Sequence, residues 1–159
     1  MFKNKGLIIL TFFIAMALDI LPLPMWAQWL RPDWVLLVLI FWVLTSPEHV
    51  GVGLAFLLGL ILDLLDATLL GEHALAFVCT IYIVSKLQRR WMFFPMIQQM
   101  ALIFMLLLIY KLVIFAVQGF VAELPSSFLY WVSIIVSVVL WPWLFALLRD
   151  CQRKFSTEV

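Results

Sequence analysis

The stretch GLILDLLDATLLG at positions 59–71 carries two carboxylates, Asp63 and Asp66, in otherwise apolar surroundings, and further ionisable groups interrupt apolar runs at Asp19 and Lys111. Two acids in a membrane-like segment suggest an aspartyl dyad, in which neighbouring carboxylates share a proton because both cannot ionise. Such a dyad needs carboxylates facing each other from separate elements. Asp63 and Asp66 lie three positions apart on one predicted helix, and no polar context surrounds Asp19. A phosphatidyl-group transferase would need Asp-Gly-xx-Ala-Arg ahead of its Gly-xxx-Asp, and that motif is missing here. His49 and His73 are expected in turns at opposite ends of the molecule, each as a solvated turn residue. Cys79 and Cys151 are isolated thiols without CxxC or Cys/His spacing, which argues against a disulfide framework or a zinc site. No GxSxG, HExxH or phosphate-cradling glycine loop is present. The sequence therefore predicts no catalytic, cofactor-binding or metal-binding residues, and no enzyme.

The elements that must hold these charges are helices in a bilayer. Of 159 residues, 67% are hydrophobic and 12% charged, against about 45–50% and about 25% in a soluble domain. The net charge of +1 gives no reason to expect nucleic acid. Apolar runs at 7–22, 34–45, 50–65, 74–87, 97–121 and 127–148 predict an all-α integral membrane protein, one domain over 1–159 with six transmembrane helices in a compact bundle. The second run is short against the ~20 residues of a full span. Lys3 and Lys5 ahead of the first run, with no small-x-small cleavage site after it, predict an uncleaved signal anchor.

Orientation follows from the positive-inside rule. With the N-terminus in the cytoplasm, inside segments hold Lys3, Lys5, Lys86, Arg89, Arg90, Arg149, Arg153 and Lys154, and outside segments hold Arg31 alone. Both termini are therefore expected to be cytoplasmic. Trp26, Trp29, Trp34 and Trp131 are expected near the outer helix ends and Trp42, Trp91, Trp141 and Trp143 near the inner ones, in the half-wet layer indole prefers.

Gly51, Ala55, Gly59 and Asp63 recur every four residues, forming one helix ridge on which small residues let another helix approach closely. Asp63 continues that ridge. Counted at 1.5 Å per residue, Asp63 lies ~20 Å up its helix, Asp19 ~18 Å and Lys111 ~21 Å. A buried charge at such depth faces protein or a wet cavity, so these three are expected to converge in a polar core, with Asp66 nearer the outer surface.

Arg31-Pro32-Asp33 followed by Trp34 and an aliphatic run, then VGVGLAFLLGLILDLLDATLLG with its Gly59-xxx-Asp63 and Leu70-Gly71, then Trp141-Pro142-Trp143, resemble the rod shape-determining MreD family. The likeness spans nearly the whole chain. It implies a non-enzymatic, multi-pass component of the bacterial inner membrane and of the cell-elongation complex, regulating peptidoglycan synthesis to maintain rod shape. The implied partners are MreC by direct binding and, indirectly, MreB, RodA and a class B penicillin-binding transpeptidase. The resemblance also implies a six-helix arrangement similar to ECF transporter substrate-binding subunits, and marks Arg31, Pro32, Asp33, Gly59, Asp63 and Gly71 as structural or partner-binding positions beside Asp19 and Lys111. Asp66 departs from the family pattern. Two other readings compete with the shape role: a small-molecule-binding membrane subunit of a transporter, its pocket lined by Asp19, Asp63 and Lys111, and an intramembrane hydrolase. For Arg31 and Asp33, a local structural role such as a mutual salt bridge across the Pro turn is favoured over partner docking.

Overall fold

The computed structural model describes residues 2–121 and 128–157. Among these it contains six α-helices: α1 (Phe2–Ile20), α2 (Trp34–Thr45), α3 (Val52–Asp66), α4 (Glu72–Trp91), α5 (Met96–Val121) and α6 (Val132–Thr157), with 3-10 turns at Gln28–Leu30 and Phe128–Trp131. The expected start of the sixth run, at 127, lies outside the described residues. Three stretches are long and apolar enough to cross a membrane, Gln28–Thr45, Met96–Val121 and Phe128–Thr157. Ile9, Phe13, Leu64, Phe120 and Val139 point outward, an apolar exterior that suits lipid rather than water.

The short second run is the centre of the bundle. Every residue from Val35 to Val43 is buried, as a helix apolar on all sides must be. α2 packs against α1, α4 and α6, while α1, α6, α5, α4 and α3 follow one another in a ring around it. An interior helix surrounded by protein has less need of the length that a lipid-facing span requires, which accounts for 12 residues where ~20 would be usual.

Several helices outrun their apolar cores. α1 begins at Phe2 and α6 continues to Thr157, nine residues beyond its last predicted position. Hydrophobicity marks the buried or lipid-facing part of a helix, whereas Lys, Arg and Gln propagate it equally well into water. Pro142 lies inside α6, where it withholds one backbone N–H and leaves the Val138 carbonyl without its usual partner.

Three tryptophans expected in the interfacial layer are instead within the protein. Trp42 and Trp141 are completely buried and Trp91 nearly so, while Trp26 and Trp143 are exposed. Phe41, Trp42, Phe145, Trp141 and Trp91 form a chain of ring contacts with centroids 5.3–6.1 Å apart. The Trp42 indole N–H donates to Thr11 Oγ1 at 2.8 Å, which ties α2 to α1 through a polar contact that a buried indole needs.

Candidate functional site

The ridge on α3 meets α4 at very close range. A Cβ built on Gly59 would lie 2.3 Å from Ala74 Cα and 2.5 Å from Ala74 N, so nothing larger than glycine fits without moving a backbone. Ala55, Gly59 and Asp63 are all buried on this side. One turn beyond Gly59, Asp63 reaches the start of α4. Its Oδ2 accepts the Gly71 N–H at 2.8 Å, and its Oδ1 accepts the His73 N–H at 3.0 Å and the Thr68 hydroxyl at 3.1 Å. His73 Nδ1 stands 2.8 Å from the same Oδ1.

Asp63 thus caps a helix to which it does not belong. The first N–H groups of any helix lack intrahelical partners, and Gly71, at the N-cap position of α4, brings no side chain to satisfy them. The carboxylate supplies the acceptors, and its charge complements the positive end of the α4 dipole. Gly71 has φ +98°, a conformation natural to glycine, and this turns its N–H toward Asp63. At the other end of the turn, Ala67 takes the left-handed conformation with φ 52°, and the Thr68 N–H bonds the Asp63 carbonyl at 3.1 Å. Main chain and side chain of one residue therefore organise the whole reversal from α3 to α4.

The Arg31-Pro32-Asp33 segment connects α1 to α2 by similar means. Pro32 is buried, and Arg31 is extended with ψ 116°, as a residue before proline prefers. The Arg31 guanidinium donates from Nη2 to the Leu21 carbonyl at 2.6 Å, covering an oxygen just past the end of α1, where a cation is also favoured by the dipole. Asp33 donates its backbone N–H to Ser137 Oγ at 3.1 Å, joining the start of α2 to α6. Its carboxylate Oδ1 faces Lys111 Nζ at 3.3 Å. The ammonium also sits 4.8 Å from the Tyr130 ring centre and 5.7 Å from that of Tyr110, close enough for cation–π attraction.

These pairings revise the expected polar core. Asp63 is not the partner of Lys111, because turn amides, the Thr68 hydroxyl and His73 occupy its oxygens; Lys111 pairs with Asp33. Arg31 and Asp33 do not bridge each other, since each has its own partner across a helix boundary. His73 is not a solvated turn residue but half-buried against Asp63. Asp19 is buried and lines a cavity of about 90 Å³ with Arg31, Asp33, Asp66, His73 and Tyr110. Asp66 is exposed at its mouth. A cavity of that size is roomy enough for water but well short of the ~300 Å³ at which small-molecule sites begin. Among the described residues, no three His, Cys, Asp or Glu side chains gather closely enough to hold a metal ion.

Sequence reasoning overlooked other members of this polar end. Glu72 is buried and accepts a hydrogen bond from Gln118 Nε2 at 2.7 Å, binding the start of α4 to α5. The Ser137 link and the tyrosines flanking Lys111 were equally unseen, because none belongs to a motif. The one available signal was Gly71 ahead of Glu72-His73, a helix start without an adjacent capping side chain, which requires an acceptor from elsewhere.

The family model described as rod shape-determining protein MreD matches residues 1–151. A Haemophilus influenzae protein named rod shape-determining protein MreD is 39% identical over 154 residues, covering 92% of this chain and 91% of its own length. No solved structure matches the chain. A match over nearly the whole length, taking in the Arg31-Pro32-Asp33 turn and the Gly59–Asp63–Gly71 cap, settles the family: the chain belongs to the rod shape-determining MreD proteins.

Proposed function

We propose that the protein is a multi-pass, non-enzymatic inner-membrane component of the bacterial cell-elongation complex, with both termini in the cytoplasm. In this reading it binds MreC and, through it, works with MreB, RodA and a class B penicillin-binding transpeptidase to keep peptidoglycan synthesis rod-shaped. The observation that carries the proposal is the family match over residues 1–151. The site geometry supports a structural role over a catalytic one. Asp63, the most deeply buried acid among the described residues, is committed to helix capping, and Asp33 and Lys111 pair with each other. The transporter alternative placed its pocket in the layer of Asp19, Asp63 and Lys111, and the cavity beside Asp19 is about 90 Å³, below the usual ligand range.

Depletion in a rod-shaped host tests the proposal. Cells should round as the protein is lost, and rods should return on re-expression; rods that persist after full depletion would refute the shape role. Copurification should recover MreC with the wild-type chain. Reporter fusions at 69 should read periplasmic and those at 47, 90 and 157 cytoplasmic; a cytoplasmic signal at 69 would reverse the proposed orientation.

A further inference from the structure

At the basic end of the bundle, the C-termini of α2 and α4, the start of α5 and the last turns of α6 enclose a cavity of about 470 Å³. Its lining is two-sided. Leu44, Met92 and Phe145 provide apolar walls, while Gln99, Arg149 and Gln152 provide polar ones. The volume falls within the ~300–1,000 Å³ typical of ligand sites.

Two lining residues carry buried polar atoms without hydrogen-bond partners: the Trp91 indole N–H and the Gln99 side-chain carbonyl. Trp91 is 5% exposed. The Gln99 orientation is fixed, because its Nε2 donates to the Phe94 carbonyl at 3.0 Å, an atom that can only accept. One buried donor and one buried acceptor therefore go unused on residues that share a cavity lining with Arg149, each at a cost of about 1–3 kcal/mol.

We infer that this cavity is a binding site for the headgroup of an anionic glycerophospholipid, of the phosphatidylglycerol class. The phosphate accepts from the Arg149 guanidinium and the Gln152 side-chain amide, and the upper acyl chain lies along Leu44 and Phe145; a shift of the lining side chains on binding would open the Trp91 N–H to the phosphate and the Gln99 carbonyl to the glycerol hydroxyls. The charge around the site favours such a ligand. Lys86, Arg89, Arg90, Arg153 and Lys154 share this end of the bundle with Glu48 and Asp150, leaving a basic surplus where anionic lipid is enriched on the cytoplasmic face. Ethanolamine headgroups also offer Gln99 a donor, but they bring a cation to a wall whose charged residue is Arg149. The inference rests on the proposed orientation, which puts this end at the cytoplasmic leaflet, and on no protein partner.

Native mass spectrometry of the full chain released from detergent, with phosphatidylglycerol or phosphatidylethanolamine of matched acyl chains, tests this directly. We expect at least a tenfold preference for phosphatidylglycerol, reduced to near parity by Arg149→Gln and by Gln99→Glu. Arg153→Gln, outside the cavity lining, should keep the preference. Arg149 is exposed, so its variant should fold, and Gln99→Glu preserves side-chain shape while repelling a phosphate. Equal retention of the two lipids by the wild type, or an undiminished preference in both variants, would overturn the site. Abolition of lipid binding by millimolar inorganic phosphate would also overturn it, by assigning the cavity to a free anion.

Discussion

The two ends of the bundle treat polar groups in opposite ways. Around Arg31-Pro32-Asp33 and the α3–α4 turn, most buried charges are paired or hydrogen-bonded to named partners: Asp63 to Gly71, Thr68 and His73, Asp33 to Lys111, Arg31 to Leu21, Glu72 to Gln118. At the basic end, Phe41, Trp42, Trp141 and Phe145 fill the interior, most charges are exposed, and Trp91 and Gln99, each with an unsatisfied buried atom, belong to the lining of a cavity. The first end derives its shape from electrostatics completed largely within the chain, with Arg31 Nε and Asp33 Oδ2 left over. The second derives its shape from ring packing and leaves the Trp91, Trp141 and Gln99 atoms without partners in the chain.

The sharpest way to break the first end is to part α3 from α4. Gly59→Leu would drive a side chain into the Ala74 backbone and carry His73 away from Asp63. The loss should exceed about 4 kcal/mol, at the extreme of single-substitution effects. Heating the detergent-solubilised protein and measuring the folded fraction by size exclusion should show that variant aggregated at temperatures the wild type survives. A Gly59→Leu protein as heat-resistant as the wild type would mean that the close helix approach contributes little.

Asp63 should come next. Asp63→Ala strands the N–H groups of Gly71 and His73, at about 1–3 kcal/mol for each unsatisfied group. Asp63→Asn keeps the shape and one carbonyl acceptor, so it should fall between the wild type and Ala. A proton-transfer role for Asp63 would instead make Asn as damaging to cell shape as Ala while leaving heat resistance intact, and that outcome would return the residue to chemistry.

Lys111 and Asp33 form a buried pair drawn from different segments. Removing one partner of such a pair costs about 3–5 kcal/mol when burial is complete; with side chains 11% and 16% exposed, a smaller loss is expected for Lys111→Met. The exchange Asp33→Lys with Lys111→Asp should recover part of what either single change loses, whereas Asp63→Lys with Lys111→Asp should recover nothing. Rescue by the Asp63 exchange would contradict the geometry.

Six helical runs and the small-residue ridge could be read from the sequence because both rest on periodicity, which the chain states locally. Partner choice was not, because rise fixes height but not rotation: Lys111 turns toward a loop residue, Asp33, and Asp63 toward a helix that begins several residues later. The cap was hidden for a related reason. Capping side chains usually stand at the N-cap itself, yet here the position is Gly71 and the acceptor comes from eight residues earlier. The interior tryptophans were misplaced because composition alone cannot tell a lipid interface from an aromatic core.

The smallest effect should come from the tie between the two styles of packing. Trp42 belongs to the aromatic end, but its N–H is satisfied by Thr11, unlike the indoles of Trp91 and Trp141, whose N–H groups have no partner. Thr11→Val preserves shape and strands one buried donor, for a loss near 1 kcal/mol. Trp91→Phe strands nothing, so its heat resistance should reflect only lost ring area. If Thr11→Val proves more damaging to heat resistance than Trp91→Phe, an existing hydrogen bond at the aromatic end outweighs ring packing there, and the contrast between the two ends narrows. If the order is reversed, ring packing governs that end, as its interior of Phe41, Trp42, Trp141 and Phe145 implies.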